Sequence, residues 1–300
     1  MNREILPQFE NINDGLLARA PAKINLSLLI ADKRPDGYHN LETVMAKIAL
    51  YDELFFEIAK TAKLELVCKG NWSPEGKNNL VYKAAELFYK TIGKEPDARI
   101  TLTKNIPAGS GLGGASSDAA TVILALNKLH KNLLTESQMY EICAQLGSDV
   151  SFFLNGPLAI CTGRGEKVEK IAKKFDFSLI LFLPSVNIST KRVYENYKVD
   201  MELFNSLSRQ IREYVTNDKI ELIPKMCANM LAKTCFVLDN SLALLQVKIQ
   251  DFTKLPVCLS GSGSALFVIS DGKNYQLIDI LRRDLKSHNC NCTIVFSNEW

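Results

Sequence analysis

Three hundred residues, 47% of them hydrophobic, are enough for the core of one large or two moderate domains and exclude a disordered chain. A formal net charge of +3, with no basic run interleaved with aromatic residues, argues against a nucleic-acid surface, so an anionic ligand would need a local pocket. No apolar run approaches membrane-spanning length, and the first seventeen residues carry Glu4, Glu10 and Asp14 in place of an apolar signal core; the expectation is a cytoplasmic protein that binds neither membrane nor nucleic acid.

In chain order, the first informative segment runs from Ala18 to Ile30. Ile24, Leu26, Leu28 and Ile30 alternate with Lys23, Asn25 and Ser27, which predicts a half-buried strand whose polar stripe faces either water or a site. Arg34, Pro35, Asp36 and Gly37 have the residues of a tight turn, and the turn delivers Tyr38 and His39 together, either as a stacking surface with a hydrogen-bonding partner or as a solvated pair. Residues 54–58 and 64–68 read as further strands. Residues 80–92 carry a helical apolar face (Leu80, Ala84, Leu87, Phe88) that stops at Gly93.

After an alternating segment at Ile100 and Leu102 comes the loop Pro107, Ala108, Gly109, Ser110, Gly111, Leu112, Gly113, Gly114, Ala115, Ser116 and Ser117. Four glycines in six positions cannot pack a core. They tolerate positive φ and let another molecule approach the backbone, so their N–H groups can converge on a phosphate. An apolar helix follows from Ala119, with Ser116 or Ser117 as the expected N-cap and Asp118 in its first turn, leaving the positive end of the helix for an anion. The P-loop pattern fails, because Ala115 and Ser116 stand where it needs lysine and then Ser or Thr; the dinucleotide pattern fails because a helix, not a second strand, comes next. That helix opens with a capping box, Thr135 to Gln138, and ends at Gly147. Asp149 then stands between a helix end and the apolar stretch 150–154, as a carboxylate at a buried boundary or as a turn residue bonding its own backbone.

Beyond Gly156 and Pro157 the pattern changes. Residues 159–166 read as a glycine-punctuated connector, 178–183 as a buried strand, and 184–190 as the approach to a short helix containing Tyr194. Helices are expected over 220–231 and 240–252. A second small-residue loop, 259–265, precedes a strand at 266–269, a last helix and a strand at 293–296. Cys68, Cys143, Cys161, Cys227, Cys235, Cys258, Cys290 and Cys292 contain no C-x-x-C and read as reduced core residues. Strands mixed with helices throughout predict an α+β protein of two domains, 1–160 and 161–300.

Four segments, in this order, resemble the GHMP kinase superfamily: Pro21-Ala-Lys-Ile-Asn-Leu26, the loop from Pro107 to Ser117, Gly147-Ser-Asp-Val150 and Leu259-Ser-Gly-Ser-Gly-Ser264. Within it, Pro35-Asp-Gly-Tyr-His-Asn40 and Gly163-Arg-Gly-Glu166 are most similar to the 4-diphosphocytidyl-2-C-methyl-D-erythritol kinase family. The resemblance implies an N-terminal ATP-binding domain like the second domain of ribosomal protein S5, a ferredoxin-like C-terminal domain and a site in the cleft between them. It also implies transfer of the γ-phosphoryl of ATP, with Mg²⁺, to the 2-hydroxyl of a small-molecule cytidyl diphosphate acceptor in the non-mevalonate (MEP) route to isoprenoid precursors. By position, Lys23 and Asp149 match the catalytic pair, residues 107–117 the ATP loop, Asn25 a substrate contact, Tyr38 and His39 the cytosine-binding turn, and Tyr194 a second aromatic across the base. Ser116, where the loop meets its helix, is the candidate metal ligand. The family's Asn-Asp-Leu-Glu segment is kept only in part, as Ala228-Asn-Met-Leu-Ala232. The competing readings are a kinase of the same superfamily acting on homoserine, mevalonate or a sugar, and a nucleotide-binding regulator without catalysis.

Overall fold

The computed structural model describes residues 6–58, 63–70, 74, 76–270 and 278–300. Its spine is a pair of long antiparallel strands, β2 (Gly15–Lys33) and β3 (His39–Ile58), joined by the turn after Lys33; Gly37 there has φ +86° and donates its N–H to the Arg34 carbonyl at 3.0 Å. The expected strand at 54–58 is only the last part of β3. A short β1 (Phe9–Ile12) pairs with the start of β2.

The far half of β3 pairs with β5 (Ala98–Thr103), to which β4 (Glu65–Lys69) adds in parallel. Its near half pairs with β6 (Leu158–Gly163), which carries β7 (Lys167–Lys170). Residues 159–166 are therefore not a connector: their first part is a sheet strand, and only the turn at 163–166 connects. The expected junction at residue 160 falls inside β6, and the change of sheet comes between Lys170 and Ser178.

Three helices pack on this sheet, each starting and stopping for local reasons. In α1 (Leu80–Ile92) the Asn79 side chain accepts from the Val81 N–H, and Gly93 closes the helix at φ +65°. α2 (Gly114–Leu129) follows the glycine loop, and α3 (Glu136–Leu146) has the full Thr135–Gln138 capping box. A 3₁₀ turn, Ser151–Leu154, starts two residues after Asp149.

The second half forms a four-stranded antiparallel sheet of β8 (Ser178–Pro184), β9 (Cys258–Leu259), β10 (Leu266–Ser270) and β11 (Cys290–Phe296), in the order β11-β8-β10-β9. Numbered within that half, the order is 4-1-3-2, the ferredoxin-like arrangement. Its helices are α4 (Thr190–Asn196), α5 (Met201–Thr216), α6 (Ala232–Leu238), α7 (Asn240–Thr253) and α8 (Ile278–Lys286). The helix expected over 220–231 does not form. Pro224 lacks the N–H that a continuous helix needs and Cys227 turns to φ +45°, so the segment breaks into two 3₁₀ turns, Ile220–Leu222 and Pro224–Met226. The helix lies upstream as α5, whose Phe204, Leu207, Ile211, Tyr214 and Val215 share one apolar face.

β2 is buried on both faces, not half-buried: Lys23 is 3% exposed, and Asn25 and Ser27 are equally enclosed. Nor do Ile24, Leu26, Leu28 and Ile30 share one core. A register shift between Asn25 and Ser27 breaks the alternation, so Ile24 and Leu26 enter one cluster and Leu28 and Ile30 another. Residues 228–230 cover the same stretch from the second half, with Leu28 N–H donating to the Ala228 carbonyl (2.7 Å) and Met230 N–H to the Leu28 carbonyl (2.9 Å). All eight cysteines are free and six are buried; the Cys227 and Cys258 thiols lie 2.7 Å apart. Among the described residues no helix is long and apolar enough to cross a membrane.

Candidate active site

The glycine loop is held from both halves of the chain. Lys23 N–H donates to the Leu112 carbonyl (2.9 Å), the Ser260 hydroxyl to the Gly111 carbonyl (3.0 Å), and Ala265 N–H to the Ser110 carbonyl (3.0 Å). Gly109, Gly111 and Gly113 all have positive φ. Two of them also have no room for a side chain: a Cβ on Gly111 would lie 2.2 Å from the Ser260 carbonyl oxygen, and one on Gly113 2.9 Å from Cγ of Lys23. Pro107 and Ala108 lie outside this contact, towards solvent.

The expected cap is corrected. Gly113 is the N-cap of α2 and no side chain caps the helix, so Ser116 and Ser117 lie inside it and Asp118 stands beyond its first turn. The amides of Gly114, Ala115 and Ser116 precede the first intrahelical bond, Ser117 N–H to the Gly113 carbonyl. With no side chain competing for them, they are suited to an anion.

Asp118 has a different task. Its carboxylate and that of Asp52 both accept from the Lys104 ammonium, the Asp118 contact being 2.7 Å. Asp52 also accepts from the N–H groups of Asn105 (2.5 Å) and Ile106 (2.8 Å), the residues leading into the loop. Burial first, and then the neighbouring Asp52 charge, push the Asp118 carboxyl well above the usual carboxylate range, against the pull of Lys104. The sequence reading missed this triad because its members are 52 and 14 residues apart in the chain.

Lys23 and Asp149 converge. The Lys23 ammonium donates to Asn25 Oδ1 at 2.6 Å and lies 3.6 Å from Asp149 Oδ2, while Asn25 is fixed by donating to Thr43 Oγ1 at 2.8 Å. Asp149 keeps about a third of its side chain exposed, towards the cleft, and Lys23 almost none. On the far side, a Cβ on Gly261 would sit 3.6 Å from the Lys23 ammonium, so the second small-residue loop closes over the lysine. Asn229, to which the sequence reading gave no role, holds that loop by donating to the carbonyls of Leu259 (2.9 Å) and Gly261 (2.8 Å). The partly kept family segment was the available signal.

These groups open onto a cleft of about 630 Å³ that is also lined by Tyr38, His39, Arg164 and Tyr194. His39 Nδ1 lies 2.8 Å from the Ala31 carbonyl, which can only accept, so Nδ1 carries a proton and in the neutral ring Nε2 is the acceptor. Its ring lies 6.0 Å from Tyr194 and edge-on to Tyr197 at 6.1 Å. Burial, with the Asp149 charge second, raises the Tyr194 phenol pKa. Tyr38 is 54% exposed and has the Arg164 guanidinium 5.2 Å over its ring. Tyr197 was not singled out in the sequence, and Arg164 was quoted only within the Gly163–Glu166 motif, without a role.

This combination of loops, lysine, acid and aromatic turn has close counterparts. The model for the GHMP kinases N terminal domain matches residues 79–157. A 4-diphosphocytidyl-2-C-methyl-D-erythritol kinase of a Geobacillus species is 38% identical over 252 residues, 84% of this chain and 87% of the relative; the Persephonella marina protein of the same name is 36% identical over 206 residues, 66% of this chain and 74% of the relative. The chain belongs to the 4-diphosphocytidyl-2-C-methyl-D-erythritol kinase family. A crystal structure of 4-(cytidine 5'-diphospho)-2C-methyl-D-erythritol kinase superposes with a TM-score of 0.74 at 29% identity, covering 95% of this chain and all of that one. Homoserine kinase from Cytophaga hutchinsonii (TM-score 0.75, 17% identity, 97% and 96% covered) shares the fold alone. Within the kinase family, the two-domain α+β GHMP architecture is therefore the framework on which Lys23, Asp149 and the aromatic turn are mounted.

Proposed function

We propose that this protein transfers the γ-phosphoryl group of ATP to the 2-hydroxyl of 4-diphosphocytidyl-2-C-methyl-D-erythritol, in the non-mevalonate (MEP) route to isoprenoid precursors. The observation that carries the reading is the meeting of Lys23 with Asp149 beside two glycine-rich loops, in one cleft with Tyr38, His39 and Tyr194. Family membership supports the choice of acceptor.

Residues 107–117 hold the triphosphate, through the glycine backbone and the uncapped amides of α2. Asp149 accepts the proton of the acceptor hydroxyl or orients that hydroxyl for attack, and Lys23 stabilises the developing alkoxide. Asn25, bonded to the Lys23 ammonium, keeps that charge aimed at the acceptor. Cytosine stacks on the aromatic turn, with Tyr38 and Tyr194 on its two faces and His39 Nε2 accepting from its exocyclic amine.

Among the described residues no three acidic, histidine or cysteine side chains gather at one point. An ion here would take most of its ligands from phosphate and water, as Mg²⁺ does, with the half-buried Ser116 hydroxyl the candidate from the protein. When bound, Mg²⁺ neutralises charge on the phosphoryl oxygens. The test is ADP release in a coupled assay over a panel of acceptors: cytidyl methylerythritol, mevalonate, homoserine and a hexose. Turnover of one of the last three in its place would overturn the reading.

A further inference from the structure

Lys47 is a buried lysine that the reaction above does not use. It lies on β3 directly opposite Lys23, its side chain is 2% exposed, and no carboxylate of the described residues pairs with it. Its ammonium donates to two backbone carbonyls, Phe153 at 3.2 Å and Asn155 at 2.5 Å, with the Trp300 ring 5.9 Å away. Burying an ammonium without an acid is costly, and burial brings its pKa down to about 7. Such a group is expected to satisfy something that nothing else can reach.

What it satisfies is the chain leaving the Ser151–Leu154 turn: the Phe153 carbonyl inside the turn and that of Asn155, the residue just past it. That turn starts two residues after Asp149. The ring of Phe153, one of the residues held, ends 3.0 Å from where a Gly113 Cβ would sit, and the stem of Lys23 approaches the same point at 2.9 Å. The backbone fixed by Lys47 thus carries the acid at one end and, through Phe153, braces the lysine and the glycine loop at the other.

We propose that Lys47 is a positioning residue, whose hydrogen bonds to the Phe153 and Asn155 carbonyls set the Asp149 carboxylate and the Lys23 ammonium in register with each other. The inference rests on the reading of Lys23 and Asp149 as the reacting pair. Lys47 does not line the cleft, so its loss acts on kcat and leaves binding alone.

The test is steady-state kinetics on the full-length Lys47→Met, Lys47→Gln and Phe153→Leu proteins, at a temperature where melting curves show each fully folded. Lys47→Met lowers kcat about 10- to 100-fold with both KM values unchanged, the loss expected when reacting groups are misplaced by roughly 1 Å. Lys47→Gln, whose amide can still donate to one carbonyl, recovers part of the loss, and Phe153→Leu reproduces it. A purely structural role would lower the melting temperature with kcat intact, and that result, or a rise in KM at constant kcat, overturns the proposal. If Lys47→Met does not fold, the other two variants decide by the same criteria. Wild-type protein assayed alongside separates the two readings: an inactive wild type sinks the function, whereas an active wild type with an unimpaired Lys47→Met sinks only the role of Lys47.

Discussion

Gly111→Ala tests whether the two loops act as one structure. The added methyl would lie 2.2 Å from the Ser260 carbonyl oxygen and 3.1 Å from that of Gly263, both backbone atoms of the second loop, and the residue sits at φ +81°. An ordinary carbon–oxygen contact is over 3 Å, so one loop must retreat by roughly 1 Å, and the left-handed backbone adds about 1 kcal/mol for a non-glycine residue. Retreat breaks the bond from the Ser260 hydroxyl to the Gly111 carbonyl and draws Gly261 away from the Lys23 ammonium. A shift of that size costs about 100-fold in kcat/KM for ATP. Gly93→Ala is the control: its φ is also positive, +65°, but nothing lies within 4 Å of the new methyl and the residue is outside the cleft, so it bears only the conformational cost. Both variants would be followed by ADP release at varied ATP. Gly111→Ala turning over like Gly93→Ala would refute the claim that the loops are pressed together.

Asp149→Asn should lower kcat at least about 100-fold with little change in KM, and near-wild-type turnover would remove the acid from the mechanism. Tyr194→Ala should raise KM for the cytidyl acceptor about 10-fold while leaving KM for ATP alone, since stacking on a base is worth roughly 1–3 kcal/mol; an unchanged acceptor KM counts against the aromatic sandwich. Asp118→Asn tests the buried triad through pH. The folded-state pKa of Asp118 lies above the unfolded value, so its contribution is fully present below about pH 3.8 and is lost as pH rises from there through the raised folded-state value. The variant should therefore gain stability relative to wild type as pH rises from 4 towards neutrality in urea titrations, and parallel curves for the two proteins would show that Asp118 does not titrate as described.

What could be read from the sequence was whatever depends on neighbours in the chain. The end of α1 followed from Gly93 and the start of α3 from the Thr135–Gln138 box, because a cap is a local feature of the chain; the Asn79 cap of α1 was not read. The glycine loop and the Tyr38-His39 turn were legible because positive φ restricts residue choice. The face assignment on β2 failed because a bulge resets the alternation, and where a bulge falls depends on the partner strand. The polar stripe of β2 was ambiguous for the same reason: only the residues that cover Lys23, Asn25 and Ser27 decide between water and a site. β6 was read as a connector because its pairing with β3 joins residues more than a hundred positions apart.

Two of the buried charged residues on β3, Lys47 and Asp52, follow a common logic. Lys47 donates to carbonyls that leave the Asp149 turn, and five residues on Asp52 accepts from amides that lead into the glycine loop. Neither is explained by charge pairing: Lys47 has no acid beside it among the described residues, and an ion pair such as that of Asp52 with Lys104 is often matched in stability by hydrophobic residues of similar volume. Each satisfies backbone that irregular chain near the site would otherwise leave unbonded in the interior. On the proposed reading, the catalytic turn and the phosphate loop cannot be helix or sheet, because their groups must face a ligand, and the cost of that irregularity is met by one lysine and one aspartate on the same strand. The proposed acid and the proposed phosphate cradle are thereby referenced to a single rigid element.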